Sequence, residues 1–260
     1  MSTAARHSLA ALALTASLTG TALGAEPIVN ESLTNEKILR NFDIIAFGNE
    51  YTGKRYDAVR KWKKPIRVGI LGKHPGYFDK DVRSHIRDIW NITHFPIELR
   101  YSVRLEKSRR LAKDFDKGEV NFVLFYFPSE KIPGIVAKLF KGKVKAAEVA
   151  DMLKISTCHA RYFTKDNEIT LAYAVFPAEH IQANMRACVI EEITQVMGLA
   201  NDSPEVNPSI FHDRGRYNEL TEHDRWMLKM FYDPRITAGM EREAAISTGR
   251  VILNEIRPGK

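Results

Sequence analysis

Residues 185–200 read Met-Arg-Ala-Cys-Val-Ile-Glu-Glu-Ile-Thr-Gln-Val-Met-Gly-Leu-Ala. At about 100° per residue, Met185, Val189, Ile193, Val196, Met197 and Ala200 fall on one broad apolar arc, with Cys188 and Leu199 at its edge. The spacing predicts an amphipathic helix from His180 to Ala200 that buries this arc. Glu191, Gln195 and Asp202 fall together on the neighbouring polar stripe. Glu192 does not, because it points into the apolar arc between Met185, Cys188, Val196 and Leu199. A carboxylate placed there must be paired, hydrogen-bonded or protonated. Desolvation raises the pKa of such a group, which suits a general base or acid. The plain alternative is a carboxylate at the rim of the core, bonded to a backbone group or to an arginine such as Arg186.

Upstream of this helix the pattern alternates between strand and helix. Thr34 is placed to cap a helix from Asn35 to about Asn49, with Ile38, Phe42, Ile45 and Ala46 on one face. A basic loop follows and ends in Lys63-Lys64-Pro65. Ile66–Leu71 reads as a strand, Asp79 to Thr93 as a helix, and Ile97 to Val103 as a second strand. Leu111 to Lys117 is a weak helical turn. Val120–Phe127 is nearly all apolar and reads as a buried central strand. Two short helices over 129–153 precede a hairpin, Thr157 to Phe163 and Ile169 to Phe176. After the 180–200 helix, Thr221 with Asp224 three residues on signals a capped helix to about Tyr232. The expected fold class is α+β, an α/β-like three-layer arrangement in which helices pack on one mixed twisted sheet.

Arg6 and His7 followed by the uncharged, small and apolar run from Ser8 to Leu23 read as an export signal, with cleavage after Gly24 or Ala25. An ordinary apolar N-terminal helix is the alternative. The mature chain of about 235 residues suffices for one well-buried core, and no later segment reaches membrane-spanning length. The expected boundaries are residues 1–25 for the signal peptide and 26–33 for a flexible lead-in. A single domain then covers 34–243, and 244–260 form a C-terminal tail. The chain carries 39 Lys+Arg against 32 Asp+Glu, a net charge of +7. Basic residues gather at Lys54 to Arg67, Arg104 to Lys113 and Lys138 to Lys145. These clusters are a solvated basic surface or a contact for anionic envelope polymers. Export argues against nucleic acid as a partner. Cys158 and Cys188 are the only cysteines; in an oxidising compartment they are a disulfide candidate, the alternative being two buried thiols. Closing a loop of about 30 residues stabilises a fold by roughly 3–4 kcal/mol in the chain-entropy model.

Residues 191–202, Glu-Glu-Ile-Thr-Gln-Val-Met-Gly-Leu-Ala-Asn-Asp, resemble the His-Glu-x-x-His-x-x-Gly-x-x-His helix of metzincin-type metallopeptidases. Glu192 stands at the general base and Gly198 at the glycine, while Glu191, Gln195 and Asn201 stand at the three zinc-binding histidines, with Asp202 beside them. Ser209-Ile210-Phe211 resembles the methionine turn under the metal, with Phe211 in the methionine's place. Leu220-Thr221-Glu222-His223-Asp224 is similar to the opening of the following helix in matrixin-like chains.

A closer resemblance is to a bacterial family of exported proteins or lipoproteins catalogued as domain of unknown function 2927. It rests on Ala46-Phe47-Gly48-Asn49-Glu50-Tyr51, Lys61-Trp62, the paired cysteines, the Glu191–Asp202 segment, and Tyr232-Asp233-Pro234-Arg235 running to Gly239-Met240. That resemblance implies no activity.

Three neutral imidazoles suit Zn²⁺, and an amide with carboxylates does not. Glu191, Gln195 and Asp202 make an oxygen set that favours Ca²⁺ or Mg²⁺, so the cofactor expectation is at most one divalent cation. Two functions follow. One is a non-catalytic binding protein of the cell envelope on a degenerate metallopeptidase-like scaffold, taking an envelope protein, a peptide or an anionic glycan. The other is a metal-dependent, peptidase-like hydrolase with Glu192 as general base. None of the other histidines forms an i, i+4 pair; His212, just after the Ser-Ile-Phe turn, is the one nearest the expected site.

Overall fold

The computed structural model describes residues 33–49, 53–111, 116–212 and 217–260. The expected signal peptide, the lead-in apart from Leu33, and residues 112–115 of the expected helical turn lie outside the described residues, as do Glu50 and Tyr51. Among the described residues the elements run α1 (Asn35–Phe47), β1 (Lys61–Trp62), β2 (Ile66–Leu71), α2 (Gly76–Thr93), β3 (Ile97–Ser102), α3 (Val103–Lys107) and β4 (Phe122–Phe127). Then follow α4 (Ile132–Leu139), α5 (Ala146–Ile155), β5 (His159–Lys165), β6 (Glu168–Pro177), α6 (Gln182–Gln195), α7 (Glu222–Phe231) and α8 (Arg242–Ile256).

The strands make one mixed sheet. β3, β2, β4 and β6 run parallel in that order, and β5 folds back antiparallel on β6. β1 pairs with Glu168 and Ile169 of β6, whereas β4 pairs with the stretch from Ala172 to Pro177. Both overlap the part of β6 that β5 also pairs. They therefore share one edge of β6, end to end, and β5 takes the other.

Side chains alternate across the sheet with the period of two that strands impose. Phe122, Leu124, Tyr126, Ala172, Ala174 and Phe176 face a large core closed by α1, α2, α6, α7 and α8. Val123, Phe125, Tyr173 and Val175 face a smaller one closed by α4 and α5. β4 is buried on both faces, which is why its sequence is an unbroken apolar run. The result is the expected three layers.

Two expectations are corrected. The helix expected over 180–200 ends at Gln195, for reasons given below. The expected C-terminal tail is mostly α8, which buries Ala245, Gly249, Ile252 and Leu253 and packs on α1 and α7. Arg257 anchors its end through bonds to Asn35 Oδ1 (2.9 Å) and the Leu33 carbonyl (2.9 Å). Two short elements were not expected: β1 lies in the supposed basic loop, and α3 begins where β3 was thought to continue. Residues 33–260 form one compact unit. Cys158 and Cys188 are disulfide-bonded, with Cα atoms 6.0 Å apart, tying the start of β5 to α6.

Candidate functional site

The C-terminus of α6 is held by side chains from distant segments. After Gln195 the chain turns: Gly198 and Leu199 both donate to the Gln195 carbonyl, at 3.0 and 3.1 Å. Gly198 has φ +106°, and a Cβ there would lie 2.2 Å from the Arg60 carbonyl oxygen. Only glycine satisfies both conditions. The last carbonyls of a helix have no partner within it. Here Trp62 Nε1 donates to Val196 O (2.7 Å) and the Tyr232 hydroxyl to Met197 O (2.8 Å). The Lys61 ammonium performs the same service for α7, donating to Phe231 O (2.8 Å), Ile236 O (2.7 Å) and Asp233 O (3.3 Å). Burial pulls the Lys61 pKa down to about 8. Lys61-Trp62 and Tyr232-Asp233 are thus helix anchors.

The expected site residues do not all converge. Glu192 is 3% exposed, as the periodicity requires. Arg186 is not its partner: it donates to Asn218 O (3.0 Å) and faces Asp81 at 4.0 Å. Gln195 and Asp202 do meet, Nε2 donating to Oδ1 at 3.0 Å. Glu191, on the same stripe, is half-buried. Asn201 turns elsewhere: its Nδ2 donates to Ile44 O (3.1 Å) and its backbone N–H to Ile45 O (3.2 Å), fastening the loop to the end of α1. Between α2 and α6, His85 Nε2 donates to Thr194 Oγ1 (2.9 Å), whose own proton goes to Ile190 O. Burial pulls the His85 pKa down to about 3, so the imidazole is neutral.

Phe211 is fully buried, and its carbonyl accepts from Ser203 N at 2.9 Å. The turn it belongs to is tied to the start of α7. Asp224, which completes the expected capping box with Thr221, also accepts from Ser209 Oγ (2.6 Å) and Ile210 N (3.1 Å). His212 is partly buried, its N–H donating to Ser209 O at 3.2 Å.

These placements do not fit a metal centre. Asn201 is engaged with α1, and the Gln195 amide donates to the carboxylate that would have to be its fellow ligand. Among the described residues no three His, Cys, Asp or Glu side chains are grouped so as to hold a metal ion.

A cleft of about 580 Å³ opens beside this region. Its walls come from the segment after α1 (Tyr56, Arg60), from α5 (Glu148, Met152), from β5, and from Ala200 just past α6. Four consecutive β5 residues, His159 to Tyr162, line it. Neighbouring strand residues point to opposite faces, so a cleft that touches all four runs along the edge of the strand. Among the described residues β5 pairs only with β6, which leaves that edge available. Glu192 is not part of this lining. Arg161 and Glu148 pair across the mouth at 3.1 Å. Burial pulls the His159 pKa down to about 4, so that imidazole is neutral too.

Arg60 is the cleft residue the sequence hid. It is 7% exposed, yet it stands in a run of Lys and Arg that reads as solvated surface. Its position next to Lys61-Trp62 was the one available signal. Its guanidinium carbon stacks 3.3 Å over the Tyr56 ring centroid and lies 5.5 Å from that of Tyr162.

A family model described as "Protein of unknown function (DUF2927)" matches residues 35–248. No curated protein matches the chain.

Proposed function

The chain belongs to the DUF2927 family, whose description carries no activity, and from the geometry of its cleft we propose that it is an exported, non-catalytic binding protein of the bacterial cell envelope. The segment it holds is an extended polypeptide laid along β5. One observation carries the reading: a cleft of about 580 Å³ that follows the edge of β5 with which no strand pairs among the described residues. An exposed strand edge offers backbone donors and acceptors to a new strand, and flanking pockets select its side chains. The Cys158–Cys188 bridge fixes β5 against α6, so this edge is rigid before a ligand arrives.

Export is supported by the signal-like N-terminus and by a disulfide suited to an oxidising compartment. Among the described residues no helix is long and apolar enough to cross a membrane. The metallopeptidase-like scaffold is part of the proposal, supported by a helix that ends in a glycine turn and is tied by the disulfide to an antiparallel edge strand. On this reading the ligand positions were lost together and the groove was kept.

The test is fluorescence anisotropy with a labelled Ala-Val hexapeptide and the disulfide-intact full chain. Ala200→Trp fills the cleft and abolishes binding, whereas Glu192→Gln binds like wild type. Peptide cleavage by the wild type in added Zn²⁺ or Ca²⁺, lost in Glu192→Gln, would overturn the reading in favour of a hydrolase.

A further inference from the structure

Arg60 has two features that its role in the fold does not explain. Among the described residues its only hydrogen bond runs from Nη2 to Ala46 O at 2.7 Å, and no carboxylate lies within ion-pair distance. Its Nε–H is buried without an acceptor. A guanidinium taken out of water without a counter-charge is costly, and natural proteins keep one where something else compensates it. Tyr56 stacks on its face and orients it, but supplies no acceptor. A second orphan lies beside it: the Tyr162 hydroxyl is buried and makes no hydrogen bond. Burial pushes its pKa up to about 12, so it keeps its proton and remains a donor. Both residues line the same cleft.

We propose that Arg60 and the Tyr162 hydroxyl form a carboxylate-recognition site in the wall of this cleft. The ligand is then a chain terminus or an Asp or Glu side chain on the extended segment, and this assignment rests on the peptide-binding reading above. The guanidinium fork matches a carboxylate in shape, and a neighbouring O–H donor adds a further bond to the same group. A doubly charged phosphate is disfavoured by the rest of the cleft. Its acidic rim, Glu148 and Asp151, is already paired with Arg161 (3.1 Å) and Lys154 (2.7 Å), which leaves Arg60 as the one unpaired cation among the described lining residues, to meet one negative charge. Tyr56, 36% exposed, covers Arg60 on the solvent side and is the side chain an entering carboxylate displaces or slides beneath.

The experiment uses the oxidised full chain and three labelled Ala-Val hexapeptides: a free acid, its C-terminal amide, and an amide with one internal Glu. Sodium acetate alone is titrated in parallel, read on the ¹⁵N resonance of the Arg60 Nε–H. The free acid or the Glu peptide binds about tenfold tighter than the plain amide, the size of one charge-assisted hydrogen bond, and which of them does so identifies the source. The preference disappears in Arg60→Gln. In Tyr162→Phe, which removes a single oxygen atom, it falls a few-fold while amide binding is unchanged. Equal binding of all three peptides overturns the carboxylate site and leaves peptide binding standing. Acetate shifting the Arg60 resonance while no peptide binds upholds the site and overturns peptide binding. Neither response overturns both.

Discussion

Arg60, Lys61 and Trp62 are consecutive and almost equally buried, at 7, 6 and 2% exposure, yet they use their donors differently. Lys61 gives its protons to three carbonyls around the end of α7. Trp62 gives its indole N–H to the end of α6. Arg60 gives one bond to Ala46 and keeps a buried N–H unused beside a cleft. Burial alone therefore does not separate structural from functional polar residues. The useful distinction is whether the fold supplies the partner, since a buried donor left unmet costs about 1–3 kcal/mol. Where the fold pairs every donor, the residue explains stability; at Arg60, whose unmet donor belongs to a residue lining a cleft, the proposal above takes the missing partner from outside.

Gly198→Ala gives the largest effect expected. The new Cβ meets the Arg60 carbonyl oxygen at 2.2 Å in a backbone with positive φ. Left-handed strain and overpacking together predict a loss of roughly 2–5 kcal/mol, seen as a lowered midpoint in urea. A loss below about 1 kcal/mol would mean that the segment carrying Arg60 moves freely, and the claim of a rigid cleft wall would fail.

Lys61→Met comes next, at about 3 kcal/mol, because it leaves three carbonyls without their donor. It also has a pH signature. The folded-state pKa is lowered from 10.5 to about 8. Between those values the unfolded chain holds a proton that the folded chain has released, so stability from this group rises with pH across that window. The deficit of Lys61→Met relative to wild type accordingly grows from pH 8 to pH 10.5, and denaturant titrations at both ends measure it. A deficit that shrinks instead would show that the carbonyls, not burial, dominate the lysine. Trp62→Phe removes one N–H from a buried carbonyl and keeps most of the packing. It costs about 1–2 kcal/mol and leaves peptide binding within a factor of two, because Trp62 does not line the cleft.

The sequence foretold the residues that work locally and hid those that work across the fold. Thr34, the Thr221–Asp224 box and the strand Ile66–Leu71 carry their signals within a few residues, and the structure places them as expected. The inward Glu192 was legible from periodicity alone. The early stop of α6 was not, because Gly198 acts with the carbonyl of Arg60, far away in the chain. β1 has two residues, too few for any period. α8 does carry helical spacing at Ala245, Gly249, Ile252 and Leu253. Gly249 weakens the propensity, and only the tight fit of its bare Cα against Met230 and Leu39 explains it. Asn201 looked like a ligand because its alternative partner, the end of α1, is more than 150 residues away in the chain.

Arg60→Gln is expected to have the smallest effect on stability and the most specific effect on binding. It loses the bond to Ala46, but it also removes a buried charge that has no counter-ion among the described residues, and these two changes oppose each other. The net change in unfolding free energy is within about 1 kcal/mol in either direction, well below that of Lys61→Met one residue away. The same variant loses its preference for carboxylate-bearing peptides. If Arg60→Gln instead destabilises the chain as strongly as Lys61→Met, the guanidinium is one more anchor of the fold. The contrast between neighbours would then dissolve, and with it the reason to look for an anionic ligand in the cleft. If stability holds and the carboxylate preference is lost, Arg60 is a residue kept for its ligand in a segment otherwise devoted to holding helices in place.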